Sequence, residues 1–453
     1  MDRALGWPRL VGMWARFFRV VPQATFRGRV GALALCCAAV VTLVACARPT
    51  AVAPAPVDAG LSFITLDANG RHLAAYRVRD GSLRWTYAEP NGFVSGIGGP
   101  FYSSGLVFAF TLQPNNFGHV MLVAVSASDG HPAWHLRLSG TSWWVAFSGS
   151  NIVVLDQEFV MRGQQEEAHF SVLVARVADG SQVTEFPVDA ARADFAVEGD
   201  MAFVCSSSGD LDAYRLSDGQ LMWRTPATDL GGVPVGAPGG APGATNTIGC
   251  EPHVFDGTIY VRHDYYSPAA PIVASGTLDR VRESDGRVLW TYRTPDWLPS
   301  AGIRGAEAEL NGAVFVLMST STRDSQHRLQ DAVVALRDSD GSELWRQFID
   351  YGTNVLADVT GTRIILVQGD DLHAANAANG SPVWRYHETF HSLKPMGTAD
   401  GVVIEFSTTT HSLHTPVPFG TDTMDYLVAL NVRDGSVYWR LPFYTDSIVI
   451  GDA

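Results

Sequence analysis

Ala75-Tyr76-Arg77-Val78-Arg79-Asp80-Gly81-Ser82-Leu83-Arg84-Trp85 is the phrase whose reading decides the fold. Asp-Gly and Asn-Gly favour tight hairpin turns, because Gly tolerates φ > 0 and the Asp or Asn side chain bonds its own backbone. The phrase therefore reads as strand, turn, strand, with a tryptophan on the second strand. It returns as Ala124 to Trp134 around Asp129-Gly130, and as Ala213 to Trp223 around Asp218-Gly219. Asp285-Gly286 leads to Trp290, Asp340-Gly341 to Trp345, Asn379-Gly380 to Trp384 and Asp434-Gly435 to Trp439. A degenerate copy keeps Asp179-Gly180 but has Thr184 where tryptophan is expected. The copies recur about every fifty residues; the longest interval, Asp218 to Asp285, holds the Gly/Pro-rich loop Gly231 to Gly243.

Working outward, another apolar segment lies upstream of most turns: Leu106 to Phe110, Ile152 to Leu155, Ala313 to Leu317, Ile364 to Val367. These runs do not alternate apolar with polar, which implies burial on both faces. In an antiparallel protein, blades stacked face to face give that burial. The expectation is an all-β fold, an eight-bladed β-propeller of four-stranded antiparallel blades over residues 61–453. The tryptophans at 85, 134, 223, 290, 345, 384 and 439 read as docking wedges between blades, each costing ~3–5 kcal/mol on change to Ala. Thr184 marks the blade pair expected to be weakest. The first repeat begins abruptly at Leu61 and lacks an innermost strand, so the C-terminal Ser447 to Ile450 is expected to complete the first blade and close the ring, removing its exposed edges.

Composition agrees. The chain has 453 residues, 44 Gly and 24 Pro, with only 17 % charged residues, which suits a turn-rich all-β protein. Net charge is −14; the first 45 residues carry +5, so the body is strongly acidic. An acidic body without a basic cluster excludes nucleic acid as a partner. Lys394 is the sole lysine. Of five cysteines, only Cys205 and Cys250 lie in the body; they either pair or remain two buried thiols.

Six arginines from Arg3 to Arg29 precede an apolar run from Val30 to Ala45, the layout of a signal peptide over residues 1–45, with Met13 a second candidate start. The run ends Leu43-Val44-Ala45-Cys46 and resembles the bacterial lipobox, in which the Cys thiol is lipidated and becomes the new N-terminus. Lipidation at Cys46 is the reading taken; cleavage after Ala47 and a retained anchor helix are the alternatives. A Pro/Ala stretch follows within residues 46–60 and tends to be extended, at ~3.1 Å per residue. The expected location is extracytoplasmic, on a membrane.

The repeated Ala-x-x-x-x-Asp-Gly-x-x-x-Trp resembles the tryptophan-docking motif of the pyrroloquinoline-quinone (PQQ) repeat propellers. Ala75, Ala124, Ala213, Ala335, Ala374 and Ala429 hold its first position; Val174 and Arg280 replace it in two copies. The resemblance implies that each Trp docks over the Ala and Gly of a neighbouring repeat. One branch contains quinoprotein dehydrogenases, which use PQQ, Ca²⁺, a catalytic Asp and often a vicinal disulfide over the cofactor. The one vicinal pair here, Cys36-Cys37, falls in the signal segment, and no metal-site acids can be mapped. The other branch resembles the eight-bladed lipoprotein of the outer-membrane barrel-assembly machine, a scaffold without cofactor, and signal, Cys46, linker and blades all suit it.

The expected function is a non-catalytic, membrane-tethered scaffold presenting rim loops such as 225–251 and 319–331 to envelope proteins. A PQQ-dependent dehydrogenase and a small-molecule or glycan sensor using the axial funnel are the alternatives. No catalytic residue is assigned. His387-Glu388-Thr389-Phe390-His391 matches His-Glu-x-x-His, which needs both imidazoles on one helical face to bind zinc. The segment follows the Trp384 strand, so it is expected in an inter-blade loop, with His411 or His414 as a conceivable third ligand. Asp338 to Glu343 hints at a Ca²⁺ loop, but the hairpin turn already explains Asp340-Gly341.

Overall fold

The computed structural model describes residues 61–452 apart from several short stretches, of which 231–247 is the longest. No helix occurs among the described residues. Their strands form eight antiparallel sheets, one per repeat. The third sheet shows the plan: strands Trp144–Ser148, Asn151–Arg162, Gln165–Arg176 and Gln182–Val188, each paired with the next.

The unbroken apolar runs are explained by two cores meeting at one strand. In Asn151–Arg162, Val153 and Leu155 join a cluster with Val197, Val204 and Tyr214 of the fourth repeat. Ile152 and Val154 point the other way, to Phe108, Leu122 and Trp134 of the second. In Ala313–Arg323, Val314 and Val316 pack with Tyr260 and Leu278, while Phe315 and Leu317 pack with Ile364 and Leu366. Side chains alternate across a strand as they must, but both sides are interior, so an alternating pattern has no advantage.

Seven sheets have four strands and one has five. The exception corrects the uniform four-stranded expectation. In the second sheet, Phe93–Val94 and Phe101–Ser103 both pair with Leu106–Gln113. Gly98-Gly99-Pro100 lies between the two pieces, and proline lacks the N–H a ladder needs. One edge strand is thereby cut in two.

The C-terminal strand Ile448–Asp452 joins the first sheet, pairing antiparallel with Leu61–Leu66 so that Phe63 stands opposite Ile450. The first strands of successive sheets also lie against one another. Trp144–Ser148 touches Phe195–Glu198, which touches Ile248–Phe255; then follow Gly302–Leu310, Asn354–Ala357, His391–Ala399 and Ile448–Asp452, and the last of these also touches Phe101–Ser103.

Candidate functional site

The phrase builds one turn eight times. The Gly N–H reaches back to the carbonyl four residues earlier, as from Gly180 to Arg176 and from Gly435 to Asn431. The Asp or Asn carboxyl or amide oxygen accepts the backbone N–H two residues on in all eight copies, from Ser82, His131, Ser181, Gln220, Arg287, Ser342, Ser381 and Ser436, at 2.9 to 3.2 Å. The loop spans four residues rather than two and ends with Gly in the left-handed region, φ 69° at Gly180. A two-residue turn of the tighter kind does occur between other strands, at Asn311-Gly312 with φ 52° and 75°.

The tryptophan then locks this turn to the previous sheet. Each indole N–H donates to a carbonyl in the next repeat: Trp85 to Ala127, Trp134 to Val177, Trp223 to Glu283, Trp290 to Asp338, Trp345 to Ala377 and Trp384 to Val432, at 2.6 to 3.0 Å. Trp439 of the last repeat donates to Val78 of the first. The ring lies on the glycine: a Cβ at Gly180 would sit 2.6 Å from Cε3 of Trp134. The Ala of the phrase has a different place from that implied by the resemblance to other propellers. It stands opposite the Trp of its own repeat, as Ala124 opposite Trp134, with a bulge just after it. Gly does belong to the neighbouring repeat.

Thr184 leaves the third repeat without an indole N–H at its joint. Phe186, two residues on, takes the position: a Cβ at Gly219 would lie 2.4 Å from its ring, and Phe186 is buried against Tyr214 at 5.9 Å between ring centroids. An aromatic contact with the glycine is kept, without the indole N–H. A second aromatic close after a missing tryptophan is the signal that sequence reading passed over.

Several buried carboxylates are held by hydrogen bonds or ion pairs. Asp156 accepts the backbone N–H groups of Ser139 and Gly140, tying the crossover from the second sheet to the third. Asp212 accepts from Nε and Nη2 of Arg224, each at 2.6 Å, and from the Tyr214 hydroxyl at 3.1 Å. Burial there raises the Tyr214 phenol to about 12. Asp338 receives the Tyr260 hydroxyl and Arg280, the residue that replaces Ala in the fifth copy, so the conceivable Ca²⁺ loop has a carboxylate already engaged. Asp279 lies fully buried beside Thr291 and 3.6 Å from Nδ1 of His263; burial raises its carboxyl above the ordinary value.

Cys205 and Cys250 are bonded to each other, which settles the two readings left open for them. The bridge joins the end of Met201–Cys205 in the fourth sheet to Ile248–Phe255 in the fifth and spans the long insertion between them.

The two histidines of the His-Glu-x-x-His segment lie on strands of two successive sheets, not in a loop between them. His387 ends Pro382–His387 and His391 begins His391–Ala399; Glu388 and His414 lie outside the described residues. Nδ1 of His387 is 2.7 Å from Asp371, which Arg385 also holds. Burial pushes the Asp371 carboxyl up, but the Arg385 and His387 bonds outweigh it and leave it below its usual value. Among the described residues, no three His, Cys, Asp or Glu side chains converge to hold a metal ion. Cys46, Cys36 and Cys37 lie outside the described residues.

The sheets have two unlike faces. The docking turn joins the third strand to the fourth, and antiparallel pairing puts the first-to-second turn on the same side. Both ends of the described body are there too, since Ser62 pairs with Arg77 and Leu61 with Asp452. The opposite side carries the crossovers and the second-to-third hairpins. Those hairpins differ in reach: Asn151–Arg162 and Ala313–Arg323 project far, while Met201–Cys205 is short. Of the loops expected to meet partners, 319–331 belongs to this projecting side, as do the two ends of 225–251; residues 231–247 lie outside the described residues.

Comparison with known proteins follows this geometry. The family described as outer membrane protein assembly factor BamB matches residues 39–194, 168–349 and 326–449. The chain belongs to this PQQ-repeat family. Its eight docking turns are accordingly the repeats of a BamB-like β-propeller. Among solved structures, apo AztD from Citrobacter koseri has TM-score 0.50 at 12 % identity over 86 % of this chain and 97 % of that one, a likeness of fold alone. BamB from Moraxella catarrhalis has TM-score 0.47 at 17 % identity, covering 86 % and 95 %. The quinohemoprotein alcohol dehydrogenase ADHIIG from Pseudomonas putida HK5 has 0.46 at 12 %, covering 83 % and 69 %. No curated protein matches the sequence.

Proposed function

We propose that the eight sheets are blades of one eight-bladed propeller closed by the C-terminal strand, and that it serves as a non-catalytic protein-interaction scaffold tethered at the cell envelope through Cys46. The observation that carries this reading is the division of the two faces. The ends of the described body and short turns share one side, so a linker attached at residue 60 leaves the projecting hairpins directed away from the anchor. Contact of Ile448–Asp452 with sheets on both sides, and the Trp439–Val78 bond, support closure. The Cys205–Cys250 bridge supports an oxidising, extracytoplasmic compartment. The family description, an outer membrane assembly factor, supports protein partners rather than a small substrate.

Two observations favour this reading over a PQQ–Ca²⁺ enzyme. The one disulfide among the described residues joins cysteines 45 apart in sequence rather than a vicinal pair, Asp156 is held by the crossover at Ser139 and Gly140, and Asp212 is held by Arg224 within its own sheet. Titration of the mature chain with PQQ and Ca²⁺, followed by quinone absorbance and alcohol-dependent dye reduction, tests the reading. No saturable binding and no turnover are expected. Stoichiometric binding with turnover would make it a dehydrogenase. Saturable binding of a small ligand without turnover would favour a sensor. Cys46→Ala is expected to move the protein from the membrane fraction to the soluble one.

A further inference from the structure

The hairpin of the third sheet carries an edge that nothing else in the described fold covers. Asn151–Arg162 pairs with Trp144–Ser148 only as far as Leu155. Beyond it the strand runs seven residues further, roughly 23 Å at ~3.3 Å per residue, with one neighbour, Gln165–Arg176. Ser139 and Gly140 cover the free edge at Asp156 and Gln157. From Glu158 to Arg162 no described strand pairs with it.

This stretch reads Glu158-Phe159-Val160-Met161-Arg162. Phe159 is 48 % and Met161 62 % exposed, the latter the most exposed large apolar residue described. Edge strands are ordinarily blunted by charge, proline or a bulge, and the neighbouring fourth sheet is too short to shield these two side chains. The other long hairpins end in polar runs, Ser319-Thr320-Ser321-Thr322-Arg323 and Thr408-Thr409-Thr410-His411-Ser412.

We infer that this edge pairs antiparallel with the same edge of a second copy of the chain, about a two-fold axis at Val160. The sequence is complementary to its own reversal. In that register Glu158 stands opposite Arg162 of the other copy, Phe159 opposite Met161, and Val160 opposite Val160. Opposed charges and apolar pairs are the favourable cross-strand combinations. Both Phe159–Met161 pairs fall on one face of the joined hairpins and both Glu158–Arg162 pairs on the other, because side chains alternate. A symmetric contact of this kind closes as a dimer and does not propagate. Five residues per copy make a small interface, so association is concentration-dependent and is favoured when tethering confines both copies to one membrane.

Sedimentation velocity of the full chain in mild detergent, over a range of concentrations, tests this. Glu158→Arg alone sets Arg against Arg, and Arg162→Glu alone sets Glu against Glu; each is expected to weaken self-association about ten-fold or more. An equimolar mixture of the two variants restores both opposed pairs and is expected to recover the parental association, as is the double variant. A structural defect could not produce recovery on mixing. A monomer at every concentration would overturn the inference, and so would a dimer indifferent to both charge reversals.

Discussion

The joint between neighbouring repeats depends on one aromatic ring, one glycine and one N–H. Trp134→Ala removes all of the first and third and should cost ~3–5 kcal/mol in urea unfolding. Trp134→Phe keeps most of the packing but leaves the Val177 carbonyl without its indole donor, and should cost ~1–3 kcal/mol. Gly180→Ala meets two objections at once, a φ of 69° and the Trp134 ring at 2.6 Å, and should cost at least ~1–2 kcal/mol by its backbone conformation alone. Phe186→Ala should be as damaging as a tryptophan truncation, ~3–5 kcal/mol, because Phe186 fills the place that Thr184 vacates. A small cost there would return the joint to the weak state that its missing tryptophan first suggests. The docking tryptophans were legible in the sequence because their spacing from Asp-Gly is constant. Phe186 was not, because it reaches the same glycine from a position two residues further along the strand, and only packing reveals that.

Strands and hairpins carry the next level. The Cys205–Cys250 bridge closes a loop across 45 residues. Chain-entropy reasoning assigns such a loop about 4 kcal/mol, so Cys205→Ser with Cys250→Ser should lower the melting temperature, and reductant should lower it only in the parent. The turns also impose a pH dependence. A serine side chain bonded to each of Asp179, Asp340 and Asp434, and Arg215 bonded to Asp218, hold these carboxyls below their ordinary values. The folded state therefore binds fewer protons, and their contribution is present above about pH 4 and lost as pH falls through the lowered values. Asp279 acts in the opposite sense. Its carboxyl is raised by burial, so stability declines as pH climbs from the ordinary carboxylate value through the raised one. Asp279→Asn should flatten that decline in urea melts as pH rises above about 4, and an unchanged profile would show that the buried carboxyl is not responsible. The strand positions were largely readable from unbroken apolar runs. The interrupted strand at Phe93–Val94 and Phe101–Ser103 had its cause in plain view at Gly98-Gly99-Pro100. The clamps made by Asp156 and Asp212 were not readable, since a carboxylate in a strand gives no sign of which crossover or arginine will meet it.

At the scale of the molecule, apolar clusters join each of the first seven sheets to the next. Stability is then expected to follow the integrity of the ring rather than that of any one blade. The anchor, the linker and the partner loops that we propose rest on the chemistry of the sequence. The separation of the ends of the body from the projecting hairpins could not be read there, because it depends on strand direction within each sheet. Closure is the central claim, and a pair of cross-links tests it most directly. Phe63 stands opposite Ile450 and Ile64 opposite Val449. One of two successive antiparallel pairs is of the closer, non-hydrogen-bonded kind, so Phe63→Cys with Ile450→Cys and Ile64→Cys with Val449→Cys cover both geometries. Mild oxidation followed by peptide mass analysis should find an intramolecular disulfide joining the two ends of the body in at least one of these variants, together with a raised melting temperature. Free thiols in both variants, or cross-links only between molecules, would show that the ends do not meet and that the ring is open.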